Sequence, residues 1–442
     1  MNQITIDNEY SKLEEFYEDP TQGIFFHPKM DKFLMKDSRG KYTPYKRDFI
    51  SRQFASKGFS KSEVKSIIHD IQFNKVIEAC LEVAGHPVGI TGSFDNRILV
   101  PAEQRRIDPK KGNWETLEKV LFNMFGKDQF EWFLGWLKIW LEAYYSYSWA
   151  PGQVLVLIGE PAAGKSLLQR ILSYIFGERV EDPTQWITGL TEFNSELAGC
   201  PHLVIEDRFA DSSKKVKDSI REHAKSIAVN EHHRIRGLYK DAISINPLWR
   251  LTISCNSTSE SMAVIPPIDE STKNKVSLLW CSKAKMPMAT NTSVQKKRFM
   301  DRLKKEMPAL IYYLLNEFKI KARHKCKEQR MGVGAYHHPN ALQQAEDSSY
   351  NGQKMCVIKD SLKQWLDTNF FFGNEDSLPK VQKDSTWTGT AAQLLHIVER
   401  NQSYRREFKA SNSLGRVLQN RVDLMTGEVT KNPDRTYTVK LD

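Results

Sequence analysis

The chain has 442 residues, and its 64 Lys and Arg against 54 Asp and Glu give a formal net charge of +10. A hydrophobic share of 40% and a charged share of 27% exclude a wholly disordered chain. The 23 glycines and 18 prolines exclude a collagen-like or linker-like chain. At roughly 150 residues per domain, the length indicates about three domains.

The sequence also limits where the chain works. No apolar run reaches the roughly 18 residues of a membrane span, and the N-terminus has no signal-peptide pattern, so we expect a soluble chain. The six cysteines form no C-x-x-C pair, which argues against a zinc ribbon and favours reduced thiols in a cytosolic compartment. The basic balance is compatible with a polyanionic partner.

Residues 1–110 alternate strand-like and helix-like segments, which predicts a small α+β domain. Apolar residues around a D-S-R-G turn predict a hairpin from 23–34 and 41–45. Helical periodicity follows at 47–57 and 61–84, and a further strand is predicted at 96–100.

Residues 113–147 have a helical pattern and are rich in aromatic side chains. Trp132, Trp136 and Trp140 recur every four residues. A tryptophan stripe at this spacing is typical of a packed helix core rather than of a platform for stacking bases. We assign residues 111–150 to a helical collar or oligomerisation segment.

From residue 151 the pattern becomes that of an α/β sheet. Residues 159–166 match G-x-x-x-x-G-K-[ST] at every fixed position. An apolar strand at 154–158 precedes this loop and an amphipathic helix at 166–175 follows it, an arrangement that aims backbone N–H groups at a phosphate. We therefore predict a nucleoside triphosphate site formed by Gly159, Glu160, Pro161, Ala162, Ala163, Gly164, Lys165, Ser166 and Leu167.

The chemistry of these residue types suggests their roles. The two glycines let the backbone approach the phosphates, Lys165 offsets the charge of the β- and γ-phosphates, and the Ser166 hydroxyl ligates Mg²⁺. A strand at 202–207 ends in Glu206 and Asp207, one of which would hold the Mg²⁺ shell while the other polarises the attacking water. The alternative is that this pair only caps the following helix.

A third strand, at 250–255, ends at Asn256. Beside a phosphate loop, an amide at a strand tip can orient the attacking water or sense the γ-phosphate. Taken alone, an Asn after a strand is usually a turn residue.

The last third of the chain carries a basic helix end and a small terminal unit. We predict a helix at 308–324 with a basic stretch at 319–330, a linker at 331–352, and a unit at 353–442 with helices at 391–399 and 413–419 and strands at 422–425 and 436–441.

In this order, the phosphate loop, the acidic strand and Asn256 resemble the superfamily 3 helicases, AAA+-related ring motors, and most closely the phage and plasmid primase-associated type. The terminal residues 387–391 and 413–416 resemble the winged-helix tail of these helicases. The resemblance implies an α/β fold in which an AAA+-like P-loop NTPase domain at 151–330 is flanked by the small α+β domain, the helical collar and a winged helix at 353–442.

The resemblance also implies an activity and partners. It predicts a replicative DNA helicase of a phage or mobile element that hydrolyses ATP with Mg²⁺ in the host cytoplasm. Its partners would be single-stranded and forked DNA, further copies of the same chain in a homo-oligomer, by default a hexamer, and a primase or polymerase.

Family members carry a basic β-hairpin that touches DNA in the ring pore, between the acidic strand and the Asn-bearing strand. In that position Arg234, Arg236 and Lys240 could each neutralise a phosphate, and Tyr239 could lie against a base or sugar. Lys240, near the turn, is the best candidate for a pore residue. The alternative is a solvated surface hairpin without a ligand.

The family also supplies an Arg finger in trans, after the Asn-bearing strand. This sequence has no Arg between Arg250 and Arg298, and Lys275 is the residue that we assign there, next to Lys273. A lysine lacks the planar fork of Arg, so Arg208 or Arg250 remains an alternative.

Further basic residues lie in the terminal unit. Arg416 and Arg421 stand on or just after the predicted second helix, where a recognition helix would meet DNA. The alternative is that the winged helix serves as a protein docking module.

Three rival functions stay open at this point. One is an RNA-directed superfamily 3 ATPase, and another is a replication initiator or origin-binding factor that uses ATP for assembly without processive unwinding. The third is an ATP-gated defence or signalling protein, which would need an effector domain that the sequence does not suggest.

Overall fold

The computed structural model describes residues 19–92, 96–206, 213–238, 241–257, 261–283, 285–327, 330–347, 350–370, 386–401, 404, 408, 410–423 and 427–441. The helices are α1 (Arg47–Ser56), α2 (Lys61–Asn74), α3 (Glu115–Ser146), α4 (Lys165–Ile175), α5 (Thr184–Ile187), α6 (Lys214–Val229), α7 (Ser293–Tyr312), α8 (Pro339–Asp347), α9 (Tyr350–Phe370), α10 (Ala391–Arg400) and α11 (Ser411–Asp423). The strands are β1 (Ile24–His27), β2 (Lys32–Lys36), β3 (Tyr42–Tyr45), β4 (Ala79–Cys80), β5 (Gly89–Thr91), β6 (Ile98–Val100), β7 (Val154–Gly159), β8 (Val180–Glu181), β9 (His202–Glu206), β10 (His233–Ile235), β11 (Ile243–Ile245), β12 (Arg250–Asn256), β13 (Val276–Cys281), β14 (Thr386–Gly389), β15 (Val429–Lys431) and β16 (Tyr437–Lys440).

The centre of the molecule is a five-stranded parallel sheet in the order β13-β7-β12-β9-β8. All six residues of β7 are buried because helices cover both faces of the sheet. One face packs against α3, α4 and α7, and the other packs against α6. The predicted α/β fold is confirmed, and the structure shows that its central sheet is parallel.

Because these strands run in one direction, their carboxyl ends meet at one edge of the sheet. In the register, Asn256 at the end of β12 lies opposite Gly159 at the end of β7. Glu206 at the end of β9 lies opposite Ser254 of β12. The sheet therefore places the carboxyl ends of β7, β12 and β9 side by side, and with them the glycine loop, Asn256 and Glu206.

Helix α3 supplies much of the packing on one face of the sheet. Trp132, Trp136 and Trp140 are 1%, 2% and 0% exposed, so the prediction of a packed tryptophan stripe is confirmed. The ring of Trp140 stacks on Phe176 with centroids 3.6 Å apart. The helix breaks at Gly126, whose φ of 67° and ψ of 173° suit a residue without a Cβ.

Helix α7 differs from its prediction at both ends. It begins at Ser293 rather than near 308, because Thr292 and Gln295 form a reciprocal cap there. It passes into a π-helical turn, Tyr313–Glu317, and then becomes extended at Phe318. The prediction of a helix over 308–324 is therefore wrong in its bounds.

The basic stretch that follows α7 is partly neutralised by α3. Lys321 and Arg323 form ion pairs with Glu131 at 2.7 and 2.6 Å. These two cations therefore bind the segment to α3 and are not available to bind a polyanion.

The N-terminal part contains two three-stranded sheets, β1-β2-β3 and β4-β6-β5. The segment predicted as one strand at 23–34 is two strands, because Pro28 begins a 3₁₀ turn and Asp31 has a left-handed φ of 50°. The helix predicted to residue 84 ends at Asn74. Beyond it the backbone pairs with β1 instead, since Phe26 N–H donates to Lys75 O and Ile77 N–H donates to Phe26 O, both at 2.9 Å.

The C-terminal part packs α9, α10 and α11 against an antiparallel sheet, β14-β16-β15. The strand predicted at 422–425 is wrong: residues 422 and 423 complete α11, and β15 follows a turn at Gly427, whose φ is 75°. Arg421 is 1% exposed and lies 3.6 Å from Glu428, so it is a core residue and not a DNA contact, whereas Arg416 is exposed.

Part of the stretch predicted as a linker is ordered against the central sheet. Residue Leu278 of β13 accepts from His338 N–H at 3.0 Å and donates to Tyr336 O at 2.7 Å, and α8 follows directly. The division of the chain into domains stays a prediction. Within the described ranges, no helix combines the length and the apolar character needed to cross a bilayer.

A buried carboxylate joins α7 to α3. Glu306, 3% exposed, accepts from Leu117 N–H at 2.9 Å, from the Thr116 hydroxyl at 2.7 Å and from Arg302 Nε at 2.7 Å. It thus pairs Leu117 N–H, a backbone donor at the N-terminus of α3 that the helix itself leaves unpaired.

Replacing Glu306 with Ala should destabilise the protein by about 2 kcal/mol, because buried donors lose their acceptor. The measurement is the urea midpoint followed by tryptophan fluorescence. Glu115→Ala is the matched control, since Glu115 pairs with Lys119 in solvent and such a pair contributes little. Equal midpoints for the two variants would contradict the capping role.

Candidate functional site

The loop between β7 and α4 has a backbone that requires its glycines. A Cβ on Gly159 would lie 2.2 Å from the carbonyl oxygen of Cys281 in β13. Gly164 has a φ of 91°, and a Cβ there would lie 2.8 Å from Met124 Cε. Ala162 also has a positive φ, of 63°. The loop is therefore held close to two neighbouring segments while α4 begins directly after it.

The exposure of the loop residues suits a ligand on its outer side. Ala163 is buried and Leu167 is half-buried. Four residues of the loop and the start of α4 are exposed to solvent: Glu160, Pro161, Ala162 and Ser166. Backbone N–H groups at the start of α4 are free of helical partners and attract an anion.

Lys165 is the central side chain of the site. It is 6% exposed, and its Nζ donates to Gly159 O at 2.8 Å, Glu160 O at 2.9 Å and Asn256 Oδ1 at 3.0 Å. The structure thus brings together the lysine and the strand-terminal amide that the sequence singled out separately. A phosphate oxygen at the loop would compete with these acceptors for the ammonium group.

The predicted metal ligands are Ser166, Glu206 and Asp207. Ser166 is exposed at the second position of α4, and Glu206 is exposed at the end of β9. Asp207 lies outside the described residues. The described part of the chain contains no group of three or more His, Cys, Asp or Glu able to hold a metal ion. A Mg²⁺ held by one or two protein oxygens together with substrate phosphates and water fits this donor set.

Lys275 lies away from this cluster. It immediately precedes β13, so it stands at the opposite edge of the sheet from the phosphate loop. Its Nζ donates to Ser271 O at 2.5 Å. Burial lowers the pKa of Lys275, and the positive charges of Arg330 and Lys225 lower it further. Lys275 therefore cannot serve the phosphate loop of its own chain.

Of the two alternative fingers, Arg250 is occupied inside the fold. It is 3% exposed and donates to Ala150 O at 2.6 Å and to Trp249 O at 2.9 Å. Burial lowers its pKa to about 10. Arg250 is therefore a structural residue, and Arg208 lies outside the described residues.

The second candidate region is a hairpin of β10 and β11. The strands pair antiparallel, with Arg234 opposite Ser244. Arg234 and Arg236 are exposed, and Arg236 forms an ion pair of 2.5 Å with Glu192. The two strands of the predicted basic hairpin are present, while Tyr239 and Lys240 lie outside the described residues.

Two residues beside the hairpin were missed by the sequence analysis. Phe193 has its ring 5.8 Å from the guanidinium carbon of Arg236. Asn194 is 1% exposed and holds β10 through three bonds: its N–H donates to Arg236 O at 3.0 Å, its Nδ2 donates to Arg234 O at 3.1 Å, and its Oδ1 accepts from Arg236 N–H at 2.8 Å. Nothing local in the sequence marks this amide, because its partners lie about forty positions away.

Replacing Asn194 with Ala should loosen the hairpin, because two side-chain bonds of about 1 kcal/mol each are lost. We expect trypsin to cleave within residues 234–240 roughly thirtyfold faster, since proteolysis follows the population of the open state. Asn230→Ala is the control, as the Asn230 side chain donates to Ser226 Oγ at an exposed position. Unchanged cleavage in Asn194→Ala would show that the amide does not hold the hairpin.

Comparisons with known proteins place this geometry in context. Residues 157–274, less than half of the chain, match a family described as "Family of unknown function (DUF5906)". No curated protein matches the chain. The A form apo structure of the NrS-1 C-terminal region is 15% identical with a TM-score of 0.52, covering 96% of this chain and 97% of that chain. A second apo structure of that region is 16% identical with a TM-score of 0.53, covering 95% and 96%. The likeness extends over almost the whole chain and establishes a shared fold.

Proposed function

We propose that the chain is an ATP-driven DNA helicase of a phage or mobile genetic element, which moves along single-stranded DNA as a ring. The observation that carries the proposal is the contact between Lys165 and Asn256 at 3.0 Å, which joins the first residue of α4 to the tip of β12. A lysine and an amide that converge beside a glycine loop form the core of a phosphate-recognising site.

The strand order supports an AAA+-like P-loop NTPase. β12, which ends in Asn256, lies between the phosphate-loop strand β7 and the acidic strand β9. An amide and a carboxylate thus flank the place where a γ-phosphate would lie beyond the loop. Ligands of open α/β sheets bind at this carboxyl edge.

The reaction would be transfer of the γ-phosphoryl group of ATP to water. Lys165 would leave its present acceptors for the β- and γ-phosphates, and Asn256 would orient the attacking water. Glu206 would accept a proton from that water or hold a metal-bound water, with Asp207 in the other role. Mg²⁺, when bound beside Ser166, would neutralise charge that develops on the phosphate oxygens.

The hairpin would supply the grip on DNA. Arg234 and Arg236 are exposed cations on one strand and just after it, and Phe193 offers a ring beside them. Cations of this kind bind phosphates without regard to sequence, and a ring stacks on any base, as a translocating motor requires. Lys240 and Tyr239 would extend this surface at the hairpin tip.

The terminal unit has the element order of a winged helix: α9, β14, α10, α11, β15, β16. Arg416 on α11 is exposed and would be its DNA contact. In a homo-oligomeric ring, by default a hexamer, Lys275 would reach the nucleotide of a neighbouring copy from the opposite edge of the sheet. Forked DNA, a primase or a polymerase would be the partners in the host cytoplasm.

The first test is ATP hydrolysis by wild type, Lys165→Ala and Asn256→Ala. Loss of the phosphate-binding cation should lower the turnover number by roughly 10³-fold, and loss of the water-orienting amide by roughly 10²-fold. Arg170→Ala, an exposed change on the same helix, should leave turnover unchanged. Hydrolysis that persists in Lys165→Ala would refute the ATPase assignment.

The second test concerns DNA. Single-stranded DNA should stimulate the wild-type ATPase, and the double variant Arg234→Ala/Arg236→Ala should keep its basal rate but need roughly tenfold more DNA for the same stimulation. The stimulation should also weaken as salt rises. Lys61→Ala, an exposed cation far along the chain in α2, is the control. Stimulation of the double variant at wild-type DNA concentrations would rule out the hairpin as the grip.

A tailed duplex then separates a motor from an assembly factor. A helicase should release the shorter strand only when ATP is hydrolysed. An ATPase that is stimulated by DNA but releases no strand would favour an initiator that uses ATP for assembly.

A further inference from the structure

Helix α4 contacts the sheet through a polar stripe. Lys165, Gln169 and Ser173 are spaced by about one helical turn each and therefore lie on one face of the helix. Gln169 is 2% exposed. Burying polar groups between a helix and a sheet is unfavourable unless each finds a partner, so a run of them requires an explanation.

Strand β12, which faces α4, also buries polar residues where an apolar core would be expected. In β12, Leu251, Ile253 and Cys255 pack into the apolar cluster with α6. The alternate residues point to the other face, where Thr252 is 0% exposed and Asn256 ends the strand. One side of this strand is thus apolar and the side toward α4 is polar, although both are buried.

Hydrogen bonds join these groups in two sets, one of two residues at the phosphate loop and one of four residues deeper along the helix. Lys165 donates to Asn256 at 3.0 Å, and the Thr252 hydroxyl donates to Gln169 Oε1 at 2.5 Å. The two ring nitrogens of His202 lie 2.7 Å from Thr252 Oγ1 and 2.9 Å from Ser173 Oγ. We call this set the polar ladder: Lys165, Gln169, Ser173, His202, Thr252 and Asn256.

The chemistry of the ladder fixes the direction of its bonds. The Thr252 hydroxyl has one proton, which it gives to Gln169, so it accepts from His202 Nε2–H. The Ser173 hydroxyl lies 2.9 Å from both His202 Nδ1 and the backbone oxygen of Gln169, so these two acceptors share its single proton. Burial lowers the pKa of His202 to about 3, so the ring is neutral at physiological pH, as this arrangement needs. The ring of Trp140 packs against the imidazole of His202, with ring centroids 5.4 Å apart.

We propose that Gln169, Thr252 and His202 are positioning residues that set the register of α4 against β12 and so hold Lys165 and Asn256 together at the phosphate loop. The inference rests on the proposed ATPase function. Apolar contacts tolerate sliding of a helix along a sheet, whereas directional bonds of 2.5 to 2.9 Å do not. His202 extends the same constraint to β9, the strand that carries Glu206.

The test compares Thr252→Val, Thr252→Ser and Ile253→Val. Valine keeps the shape of Thr252 but removes the hydroxyl, whereas serine retains it. Ile253→Val trims the same strand on its apolar face, away from the ladder. We expect the kcat for ATP of Thr252→Val to fall at least about tenfold, since a small misplacement of reacting groups is costly, while KM changes less than about threefold. Thr252→Ser and Ile253→Val should keep the wild-type kcat.

The outcomes separate the two proposals. If wild type does not hydrolyse ATP, the proposed function fails and this inference fails with it. If wild type is active and Thr252→Val has the same kcat, or if Thr252→Val and Ile253→Val lose kcat equally and in step with their melting temperatures, only the positioning role is overturned. Should Thr252→Val fail to fold, Gln169→Met removes the acceptor from the helix side, and an unchanged kcat there overturns the inference equally.

Discussion

The burial of a parallel sheet on both faces is the constraint on which the rest of the structure depends. A strand such as β7 that is buried along its whole length needs a helix on either side, and the chain must return across the sheet each time in the same sense. The carboxyl ends of the strands are then collected at one edge. The phosphate loop, the end of β9 and the amide of Asn256 are neighbours for this reason alone, although the chain separates them by many residues.

One short stretch of chain joins the two candidate functional regions, the hairpin of β10 and β11 and the edge of the sheet at the phosphate loop. Asn194 holds the hairpin strand β10, and eight positions later His202 begins β9 inside the polar ladder. Strand β9 then ends in Glu206 at the phosphate edge. The base of the hairpin and the edge that would bind nucleotide are thus connected through a covalent path without a long flexible loop. The motor proposed above would need a connection of this kind to convert hydrolysis into movement.

Periodic and contiguous features were predictable from the sequence. The strand–loop–helix around Lys165 and the tryptophan stripe of α3 each depend on spacing within a few residues, and the structure contains both. The basic hairpin was expected from the family resemblance, and β10 and β11 form it. Features set by distant partners were not predictable. Asn194, Thr252 and His202 look like ordinary polar residues until folding places their partners opposite them. Arg421 illustrates the converse, since a cation on a terminal helix suggests DNA but lies buried beside Glu428. The start of α7 was missed because its cap at Thr292 precedes the apolar periodicity.

The two outer strands of the central sheet, β13 and β8, limit how copies of this chain can assemble. At one side, residues 336–338 run along β13 and bond to Leu278, and at the other side β8 has only two residues. An open strand edge invites pairing with another chain, and proteins commonly cover or shorten such edges. Copies of this chain therefore cannot readily join by extending the central sheet from one molecule into the next. Any ring must be built from side-chain surfaces, which can slide and re-form without breaking a shared backbone ladder.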